Sequence, residues 1–337
     1  MKAILIEKAL SSVDEMRVHT VPDPVLKKGE VLVDVAAAGL NFFDILQVQE
    51  KYQIKPPYPY IPGAEFAGTI TKIHPETKGH FKVGDRVFGS TQGCYAEKLA
   101  CNAKSLLPIP SNLSFAQAAG LFITYPTSYV ALAERAQLKA GEWCLVHAAA
   151  GGVGLCAVQI AKALGAKVIA TAGSQDKLDI ALKNGADYGV NYRDKDWSAQ
   201  VLKITGGKGA DVVYDPVGLI NESLRCSAWC ARVLVVGFAA GTIEKIPANR
   251  ILLKNISVVG VHWGAYQKYD IATVGKVWKE LLELFATEKL VPVVYDKVYN
   301  GLDAVKTGLN DLASRKTFGK AVVAIGKDGV ASTHSKL

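Results

Sequence analysis

Residues 145–154 read Leu145-Val146-His147-Ala148-Ala149-Ala150-Gly151-Gly152-Val153-Gly154, an apolar strand that runs into a turn of small residues. A helical pattern follows the turn and ends at Gly165. Small residues let the backbone of such a turn approach a pyrophosphate, and the helix N-terminus offers free N–H groups and a positive dipole. Gly151 and Gly154 fill two places of the Gly-x-Gly-x-x-Gly motif, and Ala149 stands at the first. The stretch therefore predicts a dinucleotide-binding turn made by Ala150, Gly151, Gly152 and Val153.

The end of the next predicted strand bears on which dinucleotide is bound. A carboxylate is expected there, about 20 residues on, to hold the ribose 2′-hydroxyl of NAD. This chain has no acid at that place; Gly173 leaves room, Ser174 can donate to a phosphate oxygen and Lys177 can neutralise it. Tyr192 and Arg193 follow a third strand-like segment and can close the other side. These residues favour NADPH, although Lys177 also fits a solvated lysine in the first turn of a helix.

Strands and helices alternate around this turn. Helices are predicted at 153–164 and 176–183, between strands at 143–146, 167–171, 210–215, 231–237 and 257–261. This alternation is typical of an α/β fold with a doubly wound parallel sheet of the Rossmann type. The first ~120 residues read instead as short strands separated by turns. We expect a Rossmann domain over residues 123–263 and a β-rich domain formed by residues 1–122 and 264–337.

The composition indicates a globular chain with some attraction for anionic ligands. Its 337 residues are 50% hydrophobic, which is enough for two cores, and no apolar run approaches the ~18 residues of a membrane span. The net charge of +8 is spread along the chain, so no nucleic-acid site is expected. The six cysteines are scattered, which favours free thiols in a reducing compartment.

Five further motifs, read with the glycine turn, carry a family resemblance. They are Ala-Gly-Leu-Asn-Phe-Phe-Asp at 38–44, Pro-Gly-Ala-Glu-Phe-Ala-Gly at 62–68, Val-Gly-Asp-Arg-Val-Phe-Gly at 83–89, Gly-Cys-Tyr-Ala-Glu at 93–97 and Phe-Gly-Lys at 318–320. In this order they resemble the medium-chain dehydrogenase/reductase superfamily, specifically its zinc-independent quinone oxidoreductase (ζ-crystallin-like) branch. The resemblance covers nearly the whole chain and implies that the β-rich domain is a GroES-like catalytic domain.

The branch is indicated by two missing zinc ligands. Zinc alcohol dehydrogenases are similar but carry Cys where this chain has Asn41, and His where it has Ala64. An amide and a methyl group cannot replace the N and S donors of tetrahedral zinc. The segment from Phe88 to Gly93 is also too short for the lobe that holds structural zinc. We therefore expect no metal, and we expect Glu65 to be a structural acid.

The resemblance implies further site residues. Asn41 would lie beside the nicotinamide ribose and the substrate oxygen, where its amide offers a donor. Tyr52 stands where related enoyl reductases use a tyrosine as proton donor, but an aromatic lid residue explains it equally well. Thr127, Phe238 and Lys320 match nicotinamide- and phosphate-side contacts of the family.

Without a Lewis acid, the substrate must accept hydride at an activated carbon, as quinones and α,β-unsaturated carbonyls do. A 2-enoyl-CoA (enoyl-thioester) reductase is the close alternative. An NADPH-binding crystallin-like or RNA-binding protein is more remote, and a Rossmann methyltransferase leaves the N-terminal motifs unexplained. Family resemblance also implies a homodimer formed through the edge strand at 258–261.

The chain ends in Ser335-Lys336-Leu337, which matches the peroxisomal import signal read by a receptor. A chance match is the alternative, and the protein would then be cytoplasmic. The signal favours an enone or enoyl-thioester substrate from fatty-acid or aldehyde metabolism.

Overall fold

The computed structural model describes residues 1–326 and Gly329. The predicted import signal lies outside these residues. The chain forms two compact units: unit 1 consists of Met1–Ile123 and Pro292–Leu337, and unit 2 of Thr124–Val291. None of the helices in the described part of the chain is long and apolar enough to cross a membrane.

Strands and helices follow one another along the whole described chain. In order they are β1 (Lys2–Ile4), β2 (Val18–Thr20), β3 (Glu30–Gly39), α1 (Phe42–Val48), β4 (Glu65–Ile73), β5 (Arg86–Ser90), β6 (Lys98–Asn102), β7 (Leu106–Pro108), α2 (Phe115–Ala118), α3 (Leu121–Tyr129), β8 (Trp143–Val146), α4 (Gly152–Ala163), β9 (Lys167–Ala172), α5 (Gln175–Lys183), β10 (Tyr188–Asn191), α6 (Trp197–Ile204), β11 (Ala210–Asp215), α7 (Ile220–Ser223), β12 (Ser227–Val235), α8 (Ala248–Leu253), β13 (Ser257–Gly260), α9 (Tyr266–Tyr269), α10 (Ile271–Ala286), β14 (Tyr299–Asn300), α11 (Val305–Ala313) and β15 (Val322–Ala324).

Unit 2 contains a six-stranded sheet in the order β10-β9-β8-β11-β12-β13. Every neighbouring pair is parallel. Numbered within the unit, this is the order 3-2-1-4-5-6 of a doubly wound dinucleotide-binding sheet. Strands β8 and β11 are buried along most of their length, as central strands covered on both faces require. The predicted Rossmann sheet is therefore confirmed.

Unit 1 contains a seven-stranded sheet in the order β14-β15-β3-β4-β5-β7, with β6 also paired to β3. Its pairs are antiparallel except for β14 with β15. Strand β3 is ten residues long and shifts register twice against β4, which bends the sheet around an apolar core. The predicted β-rich domain is confirmed.

The second boundary between the units differs from the predicted one, because α10 belongs to unit 2. The ring of Phe285 on this helix packs edge-on against Tyr125, with 4.8 Å between ring centroids. Tyr129 donates a hydrogen bond of 2.5 Å to Glu280 on the same helix. These contacts extend unit 2 to Val291, whereas the sequence placed the boundary at 263.

Candidate functional site

The glycine-rich turn lies between β8 and α4 of unit 2. Gly151 caps α4, which begins at Gly152, so the N–H groups of its first turn have no partner within the helix. The turn leaves no room for a side chain at Gly154, since a Cβ there would lie 2.2 Å from the carbonyl oxygen of Ala148. Ala148 itself has a φ of +47°, in the left-handed region. The close approach of helix and turn therefore depends on the last glycine of the motif.

The turn is fixed against the neighbouring strand and leaves its backbone partly open. The Ala149 N–H donates to the carbonyl of Thr171 on β9 at 3.0 Å. Ala150 is buried, whereas residues 151–153 are partly exposed. Partly exposed N–H groups at a helix N-terminus suit an anion. Residues 150–153 thus fit the pyrophosphate of a dinucleotide.

The residues predicted to select the cofactor meet at the end of β9. Strands β9 and β10 are parallel and in register at Ala172 and Asn191, so both chains leave the sheet at the same edge. A Cβ on Gly173 would lie 2.9 Å from the Tyr192 hydroxyl and 3.0 Å from the Arg193 Nε. The sequence therefore placed Gly173, Tyr192 and Arg193 correctly beside one another.

Two more of the predicted residues begin the next helix. Ser174 caps α5, and Lys177 lies in its first turn and is partly exposed. No acidic side chain stands between β9 and Ser174. Ser174 follows Gly173 directly, and Lys177 lies three residues further on. Together with Tyr192 they offer a hydroxyl, an ammonium and a phenol to a phosphate.

Thr127 and Phe238 lie on other elements of unit 2. Thr127 is partly exposed on α3, next to Ser128, whose hydroxyl donates to the Val153 carbonyl of α4 at 2.8 Å. Phe238 follows β12 and is 43% exposed. Since β12, β11 and β8 are parallel neighbours, their carboxyl ends lie at one edge of the sheet. Ser128 thus anchors α3 to the turn, and Phe238 follows the same sheet edge.

His147 precedes the turn and is fully buried. Its Nδ1 lies 2.8 Å from the Thr171 hydroxyl and its Nε2 lies 2.8 Å from the Ser223 hydroxyl. Ser223 donates its hydrogen to the Leu219 carbonyl, so His147 carries its own proton on Nε2. Burial lowers the pKa of His147, which keeps the ring neutral. It is a paired core residue.

In unit 1, Asn41 belongs to a buried polar cluster with Glu65 and Lys320. The Lys320 Nζ lies 2.6 Å from Glu65 Oε1 and donates to Asn41 Oδ1 at 2.7 Å. Asn41 Nδ2 donates to Glu65 Oε1 at 3.0 Å, and Ile123 N–H donates to Glu65 Oε2 at 3.1 Å. Their relative exposures are 6% for Asn41, 0% for Glu65 and 8% for Lys320. Glu65 is thus a structural acid, and the Lys320 ammonium binds this cluster.

Asp44 adjoins the cluster, and its role was not predicted from the sequence. Its Oδ2 accepts hydrogen bonds from the Asn41 N–H at 2.9 Å and the Tyr95 hydroxyl at 2.5 Å, whereas its buried Oδ1 has no partner. Complete burial raises the pKa of Asp44 to about 7. The spacing Asn-x-x-Asp at the start of a helix is a capping signal that could have identified it. Asp44 fixes the backbone of Asn41.

Tyr52 follows α1, and its ring stacks on that of Phe43 with 5.2 Å between centroids. Burial raises the pKa of Tyr52, and the charge of Asp44 raises it further. The phenol is therefore a weaker acid than free tyrosine. This environment resembles a packed aromatic residue more than an activated proton donor.

The comparisons with known proteins agree with this architecture. A family model for the alcohol dehydrogenase GroES-like domain matches residues 27–111, and one for zinc-binding dehydrogenases matches residues 152–287. The mouse (Mus musculus) quinone oxidoreductase-like protein 2 is 38% identical over 300 residues, which is 88% of this chain and 85% of that protein.

Solved structures are similar over almost the whole chain. The Escherichia coli quinone oxidoreductase complexed with NADPH has a TM-score of 0.85 and 32% identity, covering 96% of this chain and 100% of that one. An NAD-dependent alcohol dehydrogenase has a TM-score of 0.87 and 29% identity, covering 97% of this chain and 100% of that one. The fold is thus shared with enzymes named for different nicotinamide cofactors.

Proposed function

We propose that this chain, which belongs to the zinc-independent quinone oxidoreductase branch of the medium-chain dehydrogenase/reductase superfamily, is an NADPH-dependent reductase of quinones or α,β-unsaturated carbonyls. Membership of this family makes it an oxidoreductase that uses a nicotinamide dinucleotide. The observation that carries the proposal is the turn at 151–154, where Gly154 permits close contact with Ala148 and the first N–H groups of α4 have no partner within the helix. The choice of NADPH rests on the residues around Gly173.

The proposed cofactor contacts come from three groups of residues in unit 2. The backbone of residues 150–153 holds the pyrophosphate at the N-terminus of α4. Ser174, Lys177 and Tyr192 hold the 2′-phosphate, since an ammonium and two hydroxyls suit its negative charge. Thr127 and Phe238 are proposed for the nicotinamide side by family resemblance. When bound, NADPH supplies a hydride to the substrate.

We also propose that the reaction proceeds without zinc. The positions of two zinc ligands in related enzymes are filled by Asn41 and Ala64, which offer no N or S donor. The Lys320 ammonium also lies 2.7 Å from Asn41 Oδ1 and 2.6 Å from Glu65 Oε1. A cation on these oxygens opposes the approach of a second cation. Substrates whose carbon is already activated fit such a site.

The test is a screen of NADPH oxidation against quinones, alkenals and 2-enoyl-CoA thioesters. Quinones or alkenals should be reduced faster than the thioesters. Faster turnover of enoyl-CoA, abolished in Tyr52→Phe, would make the chain an enoyl-thioester reductase instead. NADPH binding with no turnover, together with salt-sensitive RNA binding, would indicate a binding protein.

We propose a homodimer formed through β13, the edge strand of the unit 2 sheet. The adjacent helix α8 leaves Leu252 79% and Leu253 73% exposed, and such side chains favour a protein contact. Sedimentation should give a dimer, and replacing both leucines with Asp should give a monomer. A monomeric wild-type protein would refute the proposal.

We also propose peroxisomal import through Ser335-Lys336-Leu337. A fluorescent protein fused to the N-terminus of the chain should enter peroxisomes, and removal of the three residues should leave it in the cytoplasm. Cytoplasmic fluorescence of the intact fusion would refute the signal.

A further inference from the structure

The carboxamide of Asn41 is held between opposite charges. Its Oδ1 accepts a hydrogen bond from the Lys320 ammonium at 2.7 Å, and its Nδ2 donates to the Glu65 carboxylate at 3.0 Å. The reversed amide would point its NH₂ group at an ammonium and its oxygen at a carboxylate, which pairs donor with donor and acceptor with acceptor. The two charges therefore determine the orientation of the Asn41 amide.

One donor of Asn41 remains available in this orientation. The NH₂ group has two hydrogens, and Glu65 accepts one of them. The second has no acceptor among the described residues. The ammonium on Oδ1 draws electron density through the amide toward oxygen, which strengthens the remaining N–H as a donor in a site of low dielectric. The pair thus directs this donor, and the Lys320 ammonium strengthens it.

The packing around the pair favours a specific role over a general contribution to stability. A Cβ on Gly120 would lie 2.4 Å from the Lys320 Cγ, and a Cβ on Gly39 would lie 2.7 Å from Glu65 Oε1. Both side chains therefore occupy space that two glycines leave open. A buried ion pair is poor at stabilising a fold, because desolvation cancels much of the attraction. Orientation of Asn41 is therefore a role that explains this buried pair better than stabilisation of the fold does.

We propose that Lys320 and Glu65 are positioning residues that orient and polarise the Asn41 carboxamide, so that its second Nδ2 hydrogen donates to the substrate oxygen that gains charge during reduction. The inference rests on the reductase function proposed above. It also gives Lys320 a role other than the cofactor contact implied by family resemblance.

The test combines an amide spectrum with kinetics. Protein labelled with ¹⁵N-asparagine gives a side-chain NH₂ signal for Asn41, identified by its loss in Asn41→Ser. The double variant Lys320→Met/Glu65→Gln removes both charges without leaving one of them buried alone. Lys320→Arg keeps a charged donor, and Lys316→Met is a control at an exposed lysine of the same unit.

The Asn41 signal should shift in the double variant, remain close to its wild-type position in Lys320→Arg and not move in Lys316→Met. In the double variant kcat should fall about 10- to 100-fold, since misdirecting one donor costs less than the 10²–10³ of removing it. KM and the Kd for NADPH should stay within about threefold, because the pair does not bind the cofactor.

An unshifted Asn41 signal or an unchanged kcat in the double variant would overturn the inference while leaving the reductase function intact. A parallel rise of KM and Kd with unchanged kcat would do the same and restore Lys320 as a binding residue. If the double variant does not fold, Lys320→Arg and Glu65→Gln decide by the same two readouts. A wild-type protein that reduces none of the acceptors would overturn the proposed function, and the inference would fall with it.

Discussion

Replacing Gly154 with alanine tests the glycine turn at its tightest point. The new Cβ would lie 2.2 Å from the Ala148 carbonyl oxygen and 3.0 Å from the Ala149 Cα, both of which are backbone atoms. Since ordinary contacts begin near 3.4 Å, the turn and the start of α4 must separate by about 1 Å. Overpacking of this kind costs about 1–3 kcal/mol in folding stability. For a unit of this size, that predicts a fall in Tm of about 2–12 °C.

The same shift displaces the N–H groups that we propose hold the pyrophosphate. A loss of 1.4 kcal/mol in binding is tenfold in affinity, so we expect the Kd for NADPH to rise about 10- to 100-fold. Fluorescence titration of NADPH measures the Kd, and thermal unfolding with and without the cofactor measures the stabilisation by binding. Gly275→Ala is the matched control, because a Cβ there meets no atom within 4 Å and alanine favours the helix α10. Wild-type NADPH affinity in Gly154→Ala would refute the assignment of the turn.

Lys177→Ala should weaken the binding of NADPH about 10- to 100-fold and leave the binding of NADH nearly unchanged, because a charged hydrogen bond contributes about 1.5–3 kcal/mol. Lys183→Ala at the exposed end of α5 is the control. Equal losses of affinity for both cofactors would disprove the phosphate contact. Burial raises the pKa of Asp44 from 3.8 to about 7, so the folded protein holds a proton there that the unfolded chain has lost. Its contribution to the free energy of unfolding should decline as the pH rises between these values, and Asp44→Asn should remove that decline in urea unfolding at several pH values. Among the six cysteines of the described residues, Cys230 alone is exposed. Mass spectrometry after iodoacetamide treatment of the native protein should therefore find one modified thiol, and none in Cys230→Ser. Labelling of a buried cysteine would contradict the packing of these thiols.

The sequence predicted the glycine turn and the strand and helix that flank it, because these signals are local. The turn, the strand before it and the helix after it lie within 25 consecutive residues, from Glu142 to Ala166. The residues expected at the end of β9 needed one further rule, which is that parallel strands end at the same sheet edge. With that rule Tyr192 could be expected near Gly173, where it lies in the structure.

The polar cluster of unit 1 could not be predicted in the same way. Asn41, Glu65 and Lys320 come from distant parts of the chain, and β15 brings Lys320 to Asn41 by pairing with the end of β3. Resemblance supplied the names of all three residues but not their partners. Lys320 was therefore expected among the cofactor contacts, and the structure adds that its ammonium binds an amide and a carboxylate.

The C-terminal boundary of unit 2 was also not predicted correctly, for a physical reason. A strongly amphipathic helix must pack on some apolar surface, but its pattern does not say which. Helix α10 follows the last strand of the Rossmann sheet, and the sequence alone allowed it to return to the β-rich domain. The contacts of Phe285 and Glu280 with α3 decide that it stays in unit 2.

Hydride transfer from NADPH to a quinone or an enone is the activity proposed for this chain. An anaerobic reaction of the purified protein with NADPH and a benzoquinone, followed by quantification of both products, tests it. We expect equal amounts of NADPH consumed and hydroquinone formed, with the same balance for an alkenal and its saturated aldehyde if the enone is the better substrate. Tight binding of NADPH without its oxidation by either class of acceptor would refute the proposed activity.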